Sequence, residues 1–336
     1  MPAENTASDT EFEKSPDPIQ AESEVVAASP SRPSDLPLFW LICLLVMGLI
    51  APFIPVPNQA FALVGAVVLT ASYVLAVVLF VAHLTRLKIA PTKLLVGAVV
   101  GVAAWAVLQF VIAPAVFGPI FANMRATQAR PAGNDLMMMI GLRTLTDLVL
   151  LCTAVCAGGL VARLVRTPNM LGPVCAAIVM IDIWGVLFGG IVSQLITHPT
   201  TAETSQKAMA AVPTVGAMTG AAARYSIPQF TIGVGDYLFL GLLFAVLHLN
   251  NMNWRGAVWL TIPLTILTLL ATEIVGHMPG LLPIGLGVAL PNLKYFKYTR
   301  EENFALLYAG LFVILLTIGL YFGVTSMLPD KPPRPS

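Results

Sequence analysis

Two aspartates occupy places where an acid is expensive. Asp182 lies within Val179-Met180-Ile181-Asp182-Ile183-Trp184-Gly185, and Asp236 follows Gly233-Val234-Gly235 at the head of the apolar run Tyr237 to Val246. An ionised aspartate at the centre of a membrane helix costs at least about 2.5–3.5 kcal/mol. Two such acids brought together have a defined use. Close carboxylates cannot both ionise cheaply, so one keeps a proton. The ionised partner then acts as general base on a water while the protonated one polarises a peptide carbonyl, and the roles exchange as the amine leaves.

The surroundings of the second acid suit such chemistry. Gly233 and Gly235 remove side-chain bulk beside Asp236, so a second backbone can approach. Downstream, Pro279-Gly280-Leu281 interrupts an apolar stretch. Other residue types offer less. His83, His198, His248 and His277 are scattered, with no His-x-x-x-His spacing for a metal. Cys43, Cys152, Cys156 and Cys175 all fall in apolar segments and read as buried free thiols. No cofactor or metal is called for. Asp147 stands four residues after Arg143 and reads as a charge pair within a helix. Glu273 stands four before His277, near the end of a span.

These residues must be held by membrane helices. The 336 residues are 57% hydrophobic and 10% charged, far below the roughly 25% charged of a soluble protein. A net charge of +1 argues against a nucleic-acid partner. Residues 1–37 are acidic and rich in Ser, Pro and Ala, with no apolar periodicity, and read as a disordered tail rather than a signal peptide. From Leu38 onward nine runs approach the ~20 residues that cross a bilayer: 38–55, 59–84, 93–118, 138–162, 170–197, 231–249, 257–276, 279–296 and 304–327. Residues 198–230 form a long loop between the two acid-bearing runs, read as a gating segment or as a surface helix with a linker.

With nine crossings, eleven Lys and Arg fall on the side of the N-terminus and six on the other, leaving Arg143 inside a span. That excess places the N-terminus in the cytoplasm. Both aspartates then sit roughly 18–20 Å deep from the same face, on helices of opposite direction. The pattern allows a pair; the rotation of each helix decides it.

An Asp in one helix, Gly-x-Gly-Asp at the next and Pro-small-Leu after that, in a polytopic chain, resembles the GxGD intramembrane aspartyl proteases, presenilin and signal peptide peptidase. The likeness covers roughly residues 170–297. It departs in two places: Ile181 stands where those families usually have tyrosine, and Gly280 where they have alanine. Pro291-Asn292-Leu293 is a rival for the third motif, set aside because Pro279 directly follows a span.

The resemblance implies an all-α, presenilin-like bundle of about nine transmembrane segments. Residues 38–165 would be N-terminal membrane helices, 166–298 the catalytic helices with loop 198–230, and 299–336 a terminal helix with a short tail. Asp182 and Asp236 would be catalytic, with Gly233, Gly235, Pro279, Gly280 and Leu281 positioning substrate. The substrates would be transmembrane segments of other membrane proteins, within the lipid bilayer. The charge count runs the Asp182 helix outward from the cytoplasm, as in signal peptide peptidases.

Two alternatives stay open. Prepilin peptidases share Gly-x-Gly-Asp but usually carry a lysine soon after it, and Tyr237-Leu238-Phe239-Leu240 has none. A transporter or channel would use Asp147, Asp182, Asp236 and Glu273 along a path for protons or cations.

Overall fold

In lipid, every backbone polar group of an apolar run must be satisfied internally, which the α-helix does. The computed structural model describes residues 36–87, 89–127, 133–183, 186, 209–216, 230–275 and 278–327, and helices dominate them. The tail to residue 35, most of loop 198–230, His198, His277 and the last nine positions of the chain lie outside the described residues.

In chain order the helices are α1 (Leu36–Ile50), α2 (Gln59–Arg86), α3 (Pro91–Val107), α4 (Ala113–Thr127), α5 (Gly133–Val161), α6 (Leu171–Ile183), α7 (Val234–Leu249), α8 (Trp254–Val275), α9 (Leu281–Ala289) and α10 (Arg300–Met327). A π turn at Leu108–Ile112 joins α3 to α4, just ahead of Pro114, whose ring cannot continue the regular hydrogen-bond ladder. Among the described residues, helix occurs in each of the nine apolar runs. Five stretches are long and apolar enough to cross a membrane: Leu36–Phe53, Gln59–Arg86, Pro91–Asn123, Gly133–Leu164 and Trp254–Thr272. Pro168–Ile183 and Val234–Leu249 are shorter apolar helices. The chain is thus a mostly helical membrane protein.

α7 lies at the centre. It packs most extensively on α5 and also meets α2, α9 and α6. Its residues Leu240 through Leu247 are all buried, as expected of a helix that is apolar on every side. Tyr73, Phe80, Leu151, Leu171, Tyr237, Phe244 and Val288 belong to the same core. The outer surface is apolar too. Leu95, Val96, Val99, Val100 and Val111 on the α3–α4 stretch are exposed, the disposition of side chains that face lipid.

One element is not helical. Met209–Ala211 (β1) pairs antiparallel with Thr231–Gly233 (β2), with Met209 opposite Gly233 and Ala211 opposite Thr231. The sequence places β1 in the loop 198–230 and β2 at the head of the apolar run 231–249. Three-residue strands carry too little periodicity to be recognised. The run expected at 279–296 is also divided: α9 ends at Ala289 and a 3₁₀ turn, Leu290–Tyr295, follows. Pro291 cannot donate to residue 287, so the α-helical ladder stops there.

Candidate active site

Asp182 and Asp236 meet at one short segment. Asp182 sits near the end of α6, and its Oδ2 accepts a 2.6 Å hydrogen bond from the backbone N–H of Leu281. Asp236 sits in the first turn of α7, and its Oδ2 accepts from the N–H of Gly233, the residue that caps that helix, at 3.1 Å. Gly280 lies against the same carboxylate: a Cβ on Gly280 would be 3.2 Å from both Asp236 oxygens. Adjacent residues of one backbone therefore touch one acid each. Covalent geometry between them holds the two carboxylates within about 9 Å of each other.

The remaining motif residues take different positions. Pro279 is buried, directly ahead of α9. Gly233 has Asp236 Oδ2 at 3.5 Å from where its Cβ would be, an ordinary contact. A Cβ on Gly235 would meet nothing within 4 Å among the described residues. Pro291-Asn292-Leu293 lies at the other end of α9. There Asn292, fully buried, accepts from Asn253 N–H at 2.8 Å and donates to Val288 O at 2.8 Å. That triplet fastens the α7–α8 turn and is not at the acids.

Small residues bring the helices close enough for this. A Cβ on Gly241 of α7 would lie 2.9 Å from Val155 Cα of α5, and one on Gly158 of α5 would collide with the backbone of α7 at Leu238. The two helices therefore cross almost backbone to backbone, the usual way that membrane helices gain contact. On α9, Gly285 faces Val179 of α6 and Gly287 faces Thr261 of α8, each with no room for a methyl group. Gly285 thus seats the middle of α9 against the helix that carries Asp182.

The strand pair reaches the same place. Antiparallel alternation turns the backbone groups of Met209, Ala211 and Gly233 away from the pair. Each of these three residues finds a side chain. Arg143 Nη2 donates to Met209 O at 2.9 Å, Ala211 N–H donates to Asp147 Oδ2 at 3.4 Å, and Gly233 N–H donates to Asp236. Arg143 and Asp147 form the expected ion pair, Nε to Oδ2 3.3 Å. The pair also fixes β1 to α5, and through β2 it connects to Asp236.

No family model, curated protein or solved structure matches this chain.

Two residues around Tyr237 carry no signal in the sequence. An apolar cavity of about 30 Å³ is lined by Asp236, Tyr237, Thr265 and Ile284 among others. The Thr265 hydroxyl is buried and has no hydrogen-bond partner among the described residues. In Leu264-Thr265-Ile266-Leu267 it reads as one more helix threonine, which ordinarily bonds its own backbone four residues back. Tyr73 of α2 is the second: its hydroxyl lies 3.1 Å from that of Tyr237, both buried. The described histidines are elsewhere. His83 Nδ1 is 2.7 Å from Leu79 O and His248 Nε2 is 2.9 Å from Ala82 O, on either side of Trp254. Glu273 lies in the last turn of α8.

Proposed function

We propose that this chain is an intramembrane aspartyl endopeptidase, a presenilin-like bundle of about nine crossings that cuts transmembrane segments with Asp182 and Asp236. The observation that carries the reading is the convergence of both carboxylates on Gly280 and Leu281. One carboxylate takes a proton from water and the other, protonated, polarises the scissile carbonyl. The carboxyl that took the water proton then gives it to the leaving amine while the other recovers its proton from the diol, so no other acid or base is required.

The substrate must arrive unwound, because helical hydrogen bonds shield its peptide carbonyls. Gly233 and Gly235 carry no side chain beside Asp236, which lets such a backbone approach it. The N–H of Leu281 holds Asp182 in place as a rigid donor, the preorganisation that keeps a catalytic group in productive geometry.

A second reading is favoured by one observation. Tyr73 and Tyr237 share a buried hydrogen bond within electrostatic reach of Asp147, and Tyr237 also adjoins Asp236. That polar line through the bundle is what a proton pathway needs.

One experiment separates the two readings. Purified protein in liposomes is given a single-span peptide, and fragments are mapped by mass while internal pH is followed. Asp182→Asn and Asp236→Asn should each abolish cleavage in a folded protein, since the amide keeps volume and loses the titratable group. Full cleavage by Asp236→Asn, or proton flux without any cleavage in the unaltered protein, would overturn the protease assignment.

A further inference from the structure

At the end of the bundle opposite the start of α7, a cavity of about 680 Å³ opens between the α2–α3 turn, the end of α5 and the α7–α8 turn. That volume is in the range of sites for small organic ligands. Its walls include Leu84, Leu94, Val155 and Met252, and its polar residues include Arg86, Arg163 and His248. Among the described residues, no acidic one lines it.

The arginines have an ordinary alternative use, since basic side chains at helix C-termini offset the helix dipole and three helices end here. That use accounts for only part of them. Arg163 gives one Nη2 hydrogen bond to Ile89 O at 2.8 Å. Arg86 is exposed and has its guanidinium 6.0 Å from the Trp254 ring centre, with no hydrogen bond or ion pair among the described residues. The N-terminus of α3 opens on the same cavity through Ala90, Pro91 and Leu94, and no side chain caps it. Its free N–H groups add to the positive field. Apolar walls with a doubly cationic mouth, next to a lipid-exposed helix, match an amphiphile with an anionic head.

We propose that this cavity binds a phosphate-bearing anion, held by Arg86, Arg163 and the N-terminus of α3, with the acyl chains of a membrane phospholipid as its apolar part. Basic pockets between membrane helices hold lipid phosphates by the same charge-assisted contacts. The reading does not depend on the Asp182–Asp236 chemistry.

The test uses the full chain in nanodiscs of phosphatidylcholine with and without phosphatidylglycerol, and counts retained lipids by native mass spectrometry. Phosphatidylglycerol should be retained preferentially. Arg86→Gln and Arg163→Gln should each weaken retention about fivefold, and the double variant should abolish the preference. Arg255→Gln is the matched control: Arg255 stacks on Trp254 at 5.6 Å but does not line the cavity, so retention should be unchanged. Size-exclusion profiles check that each variant is folded, and a single variant replaces the double one if that fails. Unaltered retention in both single variants, or no preference in the native chain, overturns the proposal. Competition by inorganic phosphate in place of lipid would overturn the lipid as the source of the anion.

Discussion

Gly280 offers the sharpest test of the site, because its required size can be worked out. Its φ is −74°, a value open to any residue, so backbone freedom is not why glycine stands there. What constrains it is the Asp236 carboxylate: a Cβ at Gly280 would lie 3.2 Å from both oxygens and 3.4 Å from Cγ. Contacts that short require a displacement of a few tenths of an ångström. Asp236 is bound to Gly233 N–H on one side, and Leu281 N–H is bound to Asp182 on the other, so either movement disturbs one acid. Misplacement by about 1 Å costs on the order of a hundredfold in rate. Gly280→Ala should therefore cost about three- to tenfold in kcat, and Gly280→Val, which adds methyl groups, a hundredfold or more. Overpacking costs about 1–3 kcal/mol of stability, so thermal unfolding in detergent is measured beside the rate on a single-span peptide. A Val variant that folds and cleaves at the native rate would show that Gly280 does not adjoin a working carboxylate.

The other expectations rest on separate contacts. Thr265→Val keeps shape and removes a buried hydroxyl that has no partner among the described residues, so the Tm in detergent should hold or rise. A lowered Tm would show that the hydroxyl is hydrogen-bonded. Asp147→Asn keeps one oxygen for Ala211 N–H and should stay within about threefold of native cleavage, whereas Asp147→Leu loses both bonds and should fall about tenfold. Equal effects of the two would mean that the strand is positioned by other contacts. Arg143→Met removes the donor to Met209 O. It should lower cleavage about as much as Asp147→Leu, with the loss tempered by the partial exposure of the arginine.

Much of the helical order was legible because apolar runs of span length have few alternatives to helix in lipid. The ends were less so. The 279–296 run divides at Pro291, and α8 begins at Trp254, ahead of the expected 257, because the Asn253 side chain caps its first turn by accepting from Gly256 N–H at 3.0 Å. The acids were visible by their cost, and the spacing of Asp236, Gly280 and Leu281 by likeness to a motif. What sequence does not carry is rotation about each helix axis. Tyr73 reaches the Tyr237 hydroxyl, and Thr265 shares a cavity with Asp236, only because of how α2 and α8 are turned. The clamp of Arg143 and Asp147 on β1 depends on a strand that local pattern does not announce. Asp147 was readable as a partner of Arg143, and not as an acceptor for Ala211.

The site is a property of packing more than of its motifs. Asp182 and Asp236 are 54 residues apart in sequence, and Gly233, Gly280 and Leu281 hold them only where the helices already meet. That meeting comes from glycines that touch neither acid. Gly158 and Gly241 bring α5 and α7 nearly into backbone contact, and Gly285 sets α9 on α6 beside Val179. α5 then holds two connections to Asp236 at once, through α7 directly and through Arg143, Asp147 and the strand pair. Two independent tethers from one helix over-determine the position of a carboxylate, which is the condition for holding it against a proton-sharing partner despite the cost of charge in a membrane. Buried acids without such tethers would be free to turn apart and to find separate partners.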